Sequence, residues 1–247
     1  MFQSLRVNLV KSLIDINEHF IFERRLRKTY QSLMGKNIHT VVDVGANKGQ
    51  SIDFFKKINK ACTLYAFEPN KDLYQLLLSK YQQDKNIKIF NKGVSDKEGK
   101  KEFHQNVLDY TSSFEEMNIN SPYLKKKAKI LGVRPEDIVS ASYTVETIML
   151  SHFFNEHITQ TIDVLKIDVE GHEYPCLVGL FNAKTSVKIR YIQLEQHNDD
   201  MYLEKIPFEK ITALLNENGF KLKATIKHGF GDLDEVVFVN TALEKQD

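Results

Sequence analysis

The 247-residue sequence is poor in cysteine, lacks any long apolar run and carries almost no net charge. Each shortage removes a class of protein. Cys62 and Cys176 are the only cysteines, and they stand in apolar surroundings without the spacing of a zinc site or a disulfide framework, so they read as reduced core thiols. A membrane span needs about 20 consecutive apolar residues. The first segment, MFQSLRVNLVKSLIDINEHF, breaks its apolar residues with Arg6, Lys11, Asp15 and Glu18, which also leaves no h-region for a signal peptide. A cytoplasmic protein with no integral membrane segment is therefore expected. With 34 basic and 33 acidic residues the formal charge is +1, and no global field marks nucleic acid or an anionic membrane as a partner. An aromatic-basic platform, an internal repeat and a low-complexity tract are also missing.

What is present, at 42% hydrophobic residues, suffices for one core: a single α/β domain with small extensions. Leu5, Leu9, Leu13, Ile16, Phe20 and Ile21 recur at a helical period, which predicts a helical N-terminal arm over 1–36 that packs on the core, covers the site or pairs subunits into a homo-oligomer. The domain proper is expected over 37–240. There the texture changes to short apolar runs, TVVDVG, TLYAFEP, IKIFNKGVS, TIDVLKIDVEG and IRYIQLE, which read as buried parallel strands. Helical spacing over Ser51–Lys60 and Asp72–Gln82 makes the unit strand and helix repeated, hence a doubly wound, mostly parallel sheet. The stretch 97–160 breaks that rhythm with an alternating segment near Lys101–Gln105 and a long polar piece, and predicts an inserted cap or substrate loop. A helix near Pro207–Asn218 stopped by Gly219, then two apolar runs around GFGD, predicts an antiparallel pair at the sheet edge. Residues 241–247 read as a frayed tail.

In VVDVGANKGQS the strand Val41–Val44 runs into a turn bracketed by Gly45 and Gly49, where a ligand across the strand end would meet backbone. A helix opening near Ser51 turns its free N–H groups toward that ligand, and Asp43 adds a carboxylate. The second strand ends in Phe67-Glu68-Pro69, placing an acid where it can bind the two hydroxyls of a ribose. Val94 and Ser95, after the third strand, stand where they can flank an adenine. A nicotinamide cofactor uses related architecture, but Gly45-Ala46-Asn47-Lys48-Gly49 lacks the G-x-G-x-x-G spacing that brings backbone to a pyrophosphate, which disfavours an NAD-dependent oxidoreductase.

The strand Ile162–Ile167 delivers Lys166, Asp168, Glu170, His172 and Glu173 to the same edge of the sheet, and a later strand adds Glu195 and then His197. Such clusters serve acid–base chemistry; Glu173 alone also fits a helix-start carboxylate.

The motifs DVGANKGQS, AFEPN, GVSD, DVLKIDVEGHE and IQLE, in this order over about residues 40–198, resemble the FkbM-type methyltransferases. The resemblance implies a class I, Rossmann-like S-adenosyl-methionine site at Asp43, Gly45, Asn47, Gly49 and Glu68; Ala46, Ser51, Pro69, Val94, Ser95 and Asp168 are expected beside them from their positions in the chain. It also implies O-methyl transfer, commonly to a hydroxyl of a sugar or glycosylated acceptor. An alcohol needs help in losing its proton. Asp168, Glu170, His172 and Glu195 are the candidate catalytic groups, with His172 the first choice of base because its ordinary pKa lies nearest neutrality. Alternatively Asp168 and Glu195 hold a divalent cation, which is possible but not expected. Ser112, Ser113 and His197 are the candidate acceptor-binding residues, the serines sitting among aromatics in Tyr110–Phe114. Lys125, Lys126, Lys127 and Lys129, with Arg134, read either as a solvated helix face or as a lid over an anionic acceptor. A catalytically weak partner subunit that keeps the cofactor pocket is the rival to an enzyme.

Overall fold

Val- and Ile-rich runs that carry few polar residues must be covered on both sides, and here they are. A computed structural model of the chain describes residues 23–35, 37–107, 111–227 and 233–244. The expected positions Leu5 to Ile21 of the arm, Tyr110, the GFGD turn and the last three residues lie outside them. Strands β1 (Thr40–Val44), β2 (Thr63–Phe67) and β3 (Ile87–Phe90) alternate with helices α2 (Gln50–Ile58) and α3 (Lys71–Tyr81), behind a first helix α1 (Glu23–Met34). Further along come β4 (Gly93–Val94), β5 (Gly99–Asn106), α4 (Pro122–Leu131), β6 (Val139–Ile148) and α5 (Leu150–His157). The chain then runs through β7 (Ile162–Ile167), α6 (Glu173–Phe181), β8 (Ile189–His197), α7 (Phe208–Glu217), β9 (Phe220–Lys227) and β10 (Leu233–Asn240).

Seven strands form one sheet in the order β3-β2-β1-β7-β8-β10-β9. All neighbours are parallel except the pairs that β10 makes with β8 and β9, the edge pair expected from sequence. The order reverses between β1 and β7, so their carboxyl ends part and open a crevice. On one face Leu150, Phe153, Phe154, Cys176, Leu177 and Leu215 of α5, α6 and α7 pack on Val42, Val44 and Leu165. On the other, Leu26, Tyr30, Ile52, Phe55 and Leu77 of α1, α2 and α3 cover Val41, Leu64 and Val164. Both cysteines are buried and free. Among the described residues no helix is long and apolar enough to cross a membrane.

The third apolar run, read as one strand, divides. After Phe90 the Asn91 side-chain amide donates to the carbonyls of Glu68 (2.9 Å) and Pro69 (3.0 Å), ending β3, and Gly93–Val94 joins a second sheet of order β4-β6-β5. Gly93 is needed there because a Cβ would stand 2.3 Å from the Phe114 ring. The stretch 97–160 is thus a small sheet plus α4, and its last helix, α5, belongs to the main core.

Candidate active site

The side of the crevice over β1 and β2, where the cofactor is expected, is made of backbone. Gly45 (φ +86°), Asn47 (φ +47°) and Gly49 (φ +85°) turn the chain left-handed between β1 and α2, a region L side chains other than Asn rarely adopt. Gly45 is further constrained by β7, since a Cβ on it would lie 1.9 Å from the Asp168 carbonyl oxygen. The amides of Gly45 and Ala46 both donate to the Phe67 carbonyl, and α2 starts at Gly49 without a side-chain cap, leaving its first N–H groups to a ligand. Glu68 is buried and oriented by two backbone donors, Asn47 N–H at 2.7 Å and Asn70 N–H at 2.8 Å, so the expected ribose acid also fastens the turn to the end of β2. Pro69 is half-buried behind it, and Asn70 caps α3 by accepting from the amides of Asp72 and Leu73.

Asp43 is fully buried, and neither of its carboxylate oxygens has a hydrogen bond. Burial pushes its carboxyl above the ordinary range, against the pull of the Lys166 ammonium 3.6 Å away and of Ser51. Lys166, itself buried, donates to Asp168 at 2.9 Å; burial pulls its ammonium down, but Asp168, Asp43 and Glu235 outweigh that and raise it. A buried, unsatisfied carboxylate beside uncapped amide donors suits the amino-acid end of a sulfonium cofactor, which carries both an ammonium and a carboxylate. The residues present fit that group.

The side of the crevice over β7 and β8 is made of side chains. Glu170, at φ +55°, follows β7, and Glu195 and His197 end β8. His197 Nε2 stands 3.0 Å from Glu195 and 3.5 Å from Glu170, its Nδ1 is 3.4 Å from Asp199, and the Tyr202 hydroxyl donates to Glu170 at 2.9 Å. Burial, with the Glu195 charge alongside, pushes Glu170 up to about 8. Burial pulls the His197 imidazole down, but Asp199 and Glu195 outweigh it and hold it well above its usual value. A cleft beside these groups is lined by Tyr174, Glu195, His197, Tyr202, Lys205 and Phe208. Asp168 and Glu195, paired in the sequence reading, do approach each other, together with Glu235.

Other expected residues turn inward. His172 is fully buried with its ring on Phe114; Nε2 contacts the Ser95 hydroxyl at 2.9 Å, Nδ1 meets Glu115, and burial lowers its pKa. It fastens the small sheet to the start of α6 and stands apart from the Glu195 group. Ser113 donates to the carbonyls of Glu170 (2.7 Å) and Val169 (3.2 Å), so its hydroxyl is spent on the protein, while half-buried Ser112 accepts from the backbone N–H of Asn106. Val94 is buried, its carbonyl accepting from the Cys176 thiol. Of the basic run, Lys125, Lys126 and Lys129 are exposed on α4, while Lys127 is half-buried over Tyr123.

Sequence reasoning missed Glu235, Asp199 and Tyr202. Glu235 had a signal: it is an acid in the apolar run of β10, and the antiparallel register sets it opposite Glu195. Asp199 follows His197 by two positions in a loop, and Tyr202 carries no local mark.

The Methyltransferase FkbM domain model matches residues 43–222. The chain is 25% identical over 223 residues to the 2-O-methyltransferase NoeI of Sinorhizobium fredii, covering 89% of this chain and 86% of that protein. It is 24% identical over 203 residues to the AMB antimetabolite synthetase AmbE of Pseudomonas aeruginosa, but spans only 9% of that much longer protein. Among solved structures, a SAM dependent methyltransferase from Aquifex aeolicus aligns at 13% identity with TM-score 0.48, over 95% of this chain and 98% of that one. Magnesium protoporphyrin IX methyltransferase from Synechocystis PCC 6803 aligns at 11% identity with TM-score 0.49, over 92% and 84%. With the family model matched over residues 43–222, most of its length, and the sheet order of a class I methyltransferase, the chain belongs to the FkbM family of S-adenosyl-methionine-dependent methyltransferases.

Proposed function

We propose that the chain methylates a hydroxyl of a sugar or glycan precursor in the cytoplasm. The observation that carries this is the meeting, at adjacent strand ends, of the backbone turn at Asp43–Gly49 with the Asp168, Glu170, Glu195 and His197 group. Bound S-adenosyl-methionine supplies a methyl group on a sulfonium and leaves as a thioether. Asp43 and the first amides of α2 hold its amino-acid end, and Glu68 takes the ribose hydroxyls. The acceptor oxygen must lie in line with the methyl carbon and give up its proton, and proton removal falls to the acidic and imidazole group at the ends of β7 and β8. His172, with both ring nitrogens engaged, holds that group's loops in place.

Support for oxygen as the acceptor comes from these proton-accepting side chains and from a relative named as a 2-O-methyltransferase. Support for a sugar comes from the cleft, where Tyr174, Tyr202 and Phe208 offer apolar faces and the carboxylates, His197 and Lys205 offer hydrogen bonds. A net charge of +1 disfavours nucleic acid. The test is release of S-adenosyl-homocysteine on adding sugar nucleotides and oligosaccharides, with mass spectrometry of the product. A methyl gain on a carbohydrate oxygen is expected; turnover confined to nitrogen or carbon acceptors would overturn the reading, and calorimetry showing NAD bound in place of S-adenosyl-methionine would overturn the cofactor.

A further inference from the structure

The acceptor side holds more negative charge than its own cations balance. Glu170, Glu195 and Asp199 surround one imidazole, and Glu195 also faces Asp168 and Glu235. Glu195 is common to two groups whose ligand-type atoms all lie within 4.8 Å of one another: Glu170, Glu195 and His197, and Asp168, Glu195 and Glu235. It is only 8% exposed, and its Oε2 accepts no hydrogen bond. A buried carboxylate oxygen without a donor, aimed at a nitrogen and a second carboxylate, is the arrangement a cation completes.

We propose that Glu170, Glu195 and His197 bind a divalent transition-metal ion. The spacing fits: donor atoms about 2.1 Å from one ion stand about 3 Å apart at right angles and about 3.4 Å apart at tetrahedral angles. His197 Nε2 lies 3.0 Å from Glu195 Oε2 and 3.5 Å from Glu170 Oε2. The second layer is also in place. Asp199 approaches Nδ1 of His197 at 3.4 Å, which turns the other ring nitrogen toward the carboxylates, and the Tyr202 hydroxyl orients Glu170 from 2.9 Å. One imidazole with two carboxylates favours Mn²⁺ or Zn²⁺ over Mg²⁺ or Ca²⁺, which prefer oxygen alone. Three protein ligands leave further positions open toward the cleft, where Gly171, Glu195, His197 and Tyr202 line the wall. The inference rests on reading this group as the one that activates the acceptor hydroxyl, and it replaces direct proton transfer to these side chains by activation through the ion. A cation there would lower the hydroxyl's pKa, so that its proton is given up to water at the cleft mouth; the oxygen's electron pair would then form the new bond to the methyl carbon as the carbon–sulfur bond breaks and its pair stays on sulfur, leaving the thioether.

The probe is Mn²⁺ alone, followed by electron paramagnetic resonance on chelator-treated protein without acceptor, with S-adenosyl-methionine affinity measured by calorimetry on the same samples. One tightly bound Mn²⁺ is expected, displaced by Zn²⁺, and weakened at least tenfold in both Glu195→Gln and His197→Ala while cofactor affinity holds. Glu98→Gln, which touches only a surface histidine, serves as the control and keeps full Mn²⁺ affinity. Absence of Mn²⁺ and Zn²⁺ binding in protein that still binds the cofactor overturns the proposal and leaves protonated His197 as the cation of the group. Mn²⁺ lost in Glu235→Gln but retained in His197→Ala overturns the choice of ligands. Failure to bind the cofactor in the unaltered protein overturns the methyltransferase site itself, a separate result.

Discussion

The two halves of the crevice are built from different materials. The half over β1 and β2 works mainly through the path of the backbone: left-handed turns and uncapped amides, with two carboxylates, buried Asp43 and Glu68, the second held by main-chain donors. The half over β7, β8 and β10 works through buried side chains: Glu170, Glu195, His197 and Glu235 are held by one another and by Tyr202 and Gln193. The turn of the first half should break when a side chain is added to it, whereas the second half has only charges to lose. The largest expected effect tests the first half of that statement. Gly45 and Gly219 share a left-handed φ, +86° and +82°, but an added Cβ meets the Asp168 carbonyl at 1.9 Å in one and nothing within 4 Å in the other. Gly219→Ala should cost about 1 kcal/mol of strain alone. For Gly45→Ala the clash with β7 is added, and a loss of more than about 3 kcal/mol, or failure to accumulate folded protein, is expected. Equal melting temperatures for the two variants would show that the turn is not pinned against β7.

Next in size is a split between binding and turnover. On the proposed cofactor placement, Asp43→Asn should weaken S-adenosyl-methionine at least about tenfold, since it removes the buried charge proposed to face the cofactor's ammonium, with the fold checked by circular dichroism. Glu195→Gln keeps size and shape on the other side of the crevice, and should leave that affinity within about threefold while lowering turnover about a hundredfold. Calorimetry and initial rates on both variants decide it. If Glu195→Gln weakened the cofactor as much as Asp43→Asn, the two halves would be one site.

The same division explains what could be read from sequence. The turn Gly45–Gly49, Glu68 at a strand end and the run into Asp168 are local patterns, because strand, glycine turn and helix follow one another within a few positions. The edge pair of β9 and β10 was likewise legible from two apolar runs around a turn. The charged half was legible only by residue type. His172 and His197 look alike in sequence, and only the docking of Glu115, Ser95 and Phe114 shows that the first is a buried anchor. Ser113 was equally ambiguous, since its hydroxyl is consumed by carbonyls far along the chain. Such pairings depend on which loops the small sheet brings together, and no periodicity encodes that.

Glu173 offers a smaller test of the charged half. Its carboxylate accepts from the amides of Val169 and Gly171, yet burial, relieved in part by His197 and opposed by Glu195, pushes its pKa up to about 7 from an ordinary 4.5. The folded state therefore holds this proton more tightly than the unfolded chain. Its contribution is most favourable below about pH 4.5 and declines as pH rises through 7, by about 3 kcal/mol in all. Glu173→Gln keeps an acceptor for both amides and has no such loss. Relative to the unaltered protein it should gain about 2 kcal/mol between pH 5 and pH 8 in denaturant unfolding; parallel pH curves would mean the site is wetter than its burial implies.

The smallest effect concerns a polar chain that enters the charged half from the far face of the sheet. The Tyr30 hydroxyl donates to Gln193 at 2.6 Å, and the Gln193 amide donates to Glu235 at 2.9 Å, linking α1 through β8 to β10. Removing the hydroxyl in Tyr30→Phe keeps the ring against Phe54 and Phe55 but leaves the Gln193 carbonyl buried without this donor, at about 1 kcal/mol. For a chain of this length that lowers the melting temperature by about 2–4 °C. Because the cofactor half is held by backbone, S-adenosyl-methionine affinity should not change with it. A fall in that affinity matching the fall in stability would mean that Glu235, through Lys166, carries the state of α1 to Asp43, and the two halves would then be coupled through the sheet as well as neighbours across it.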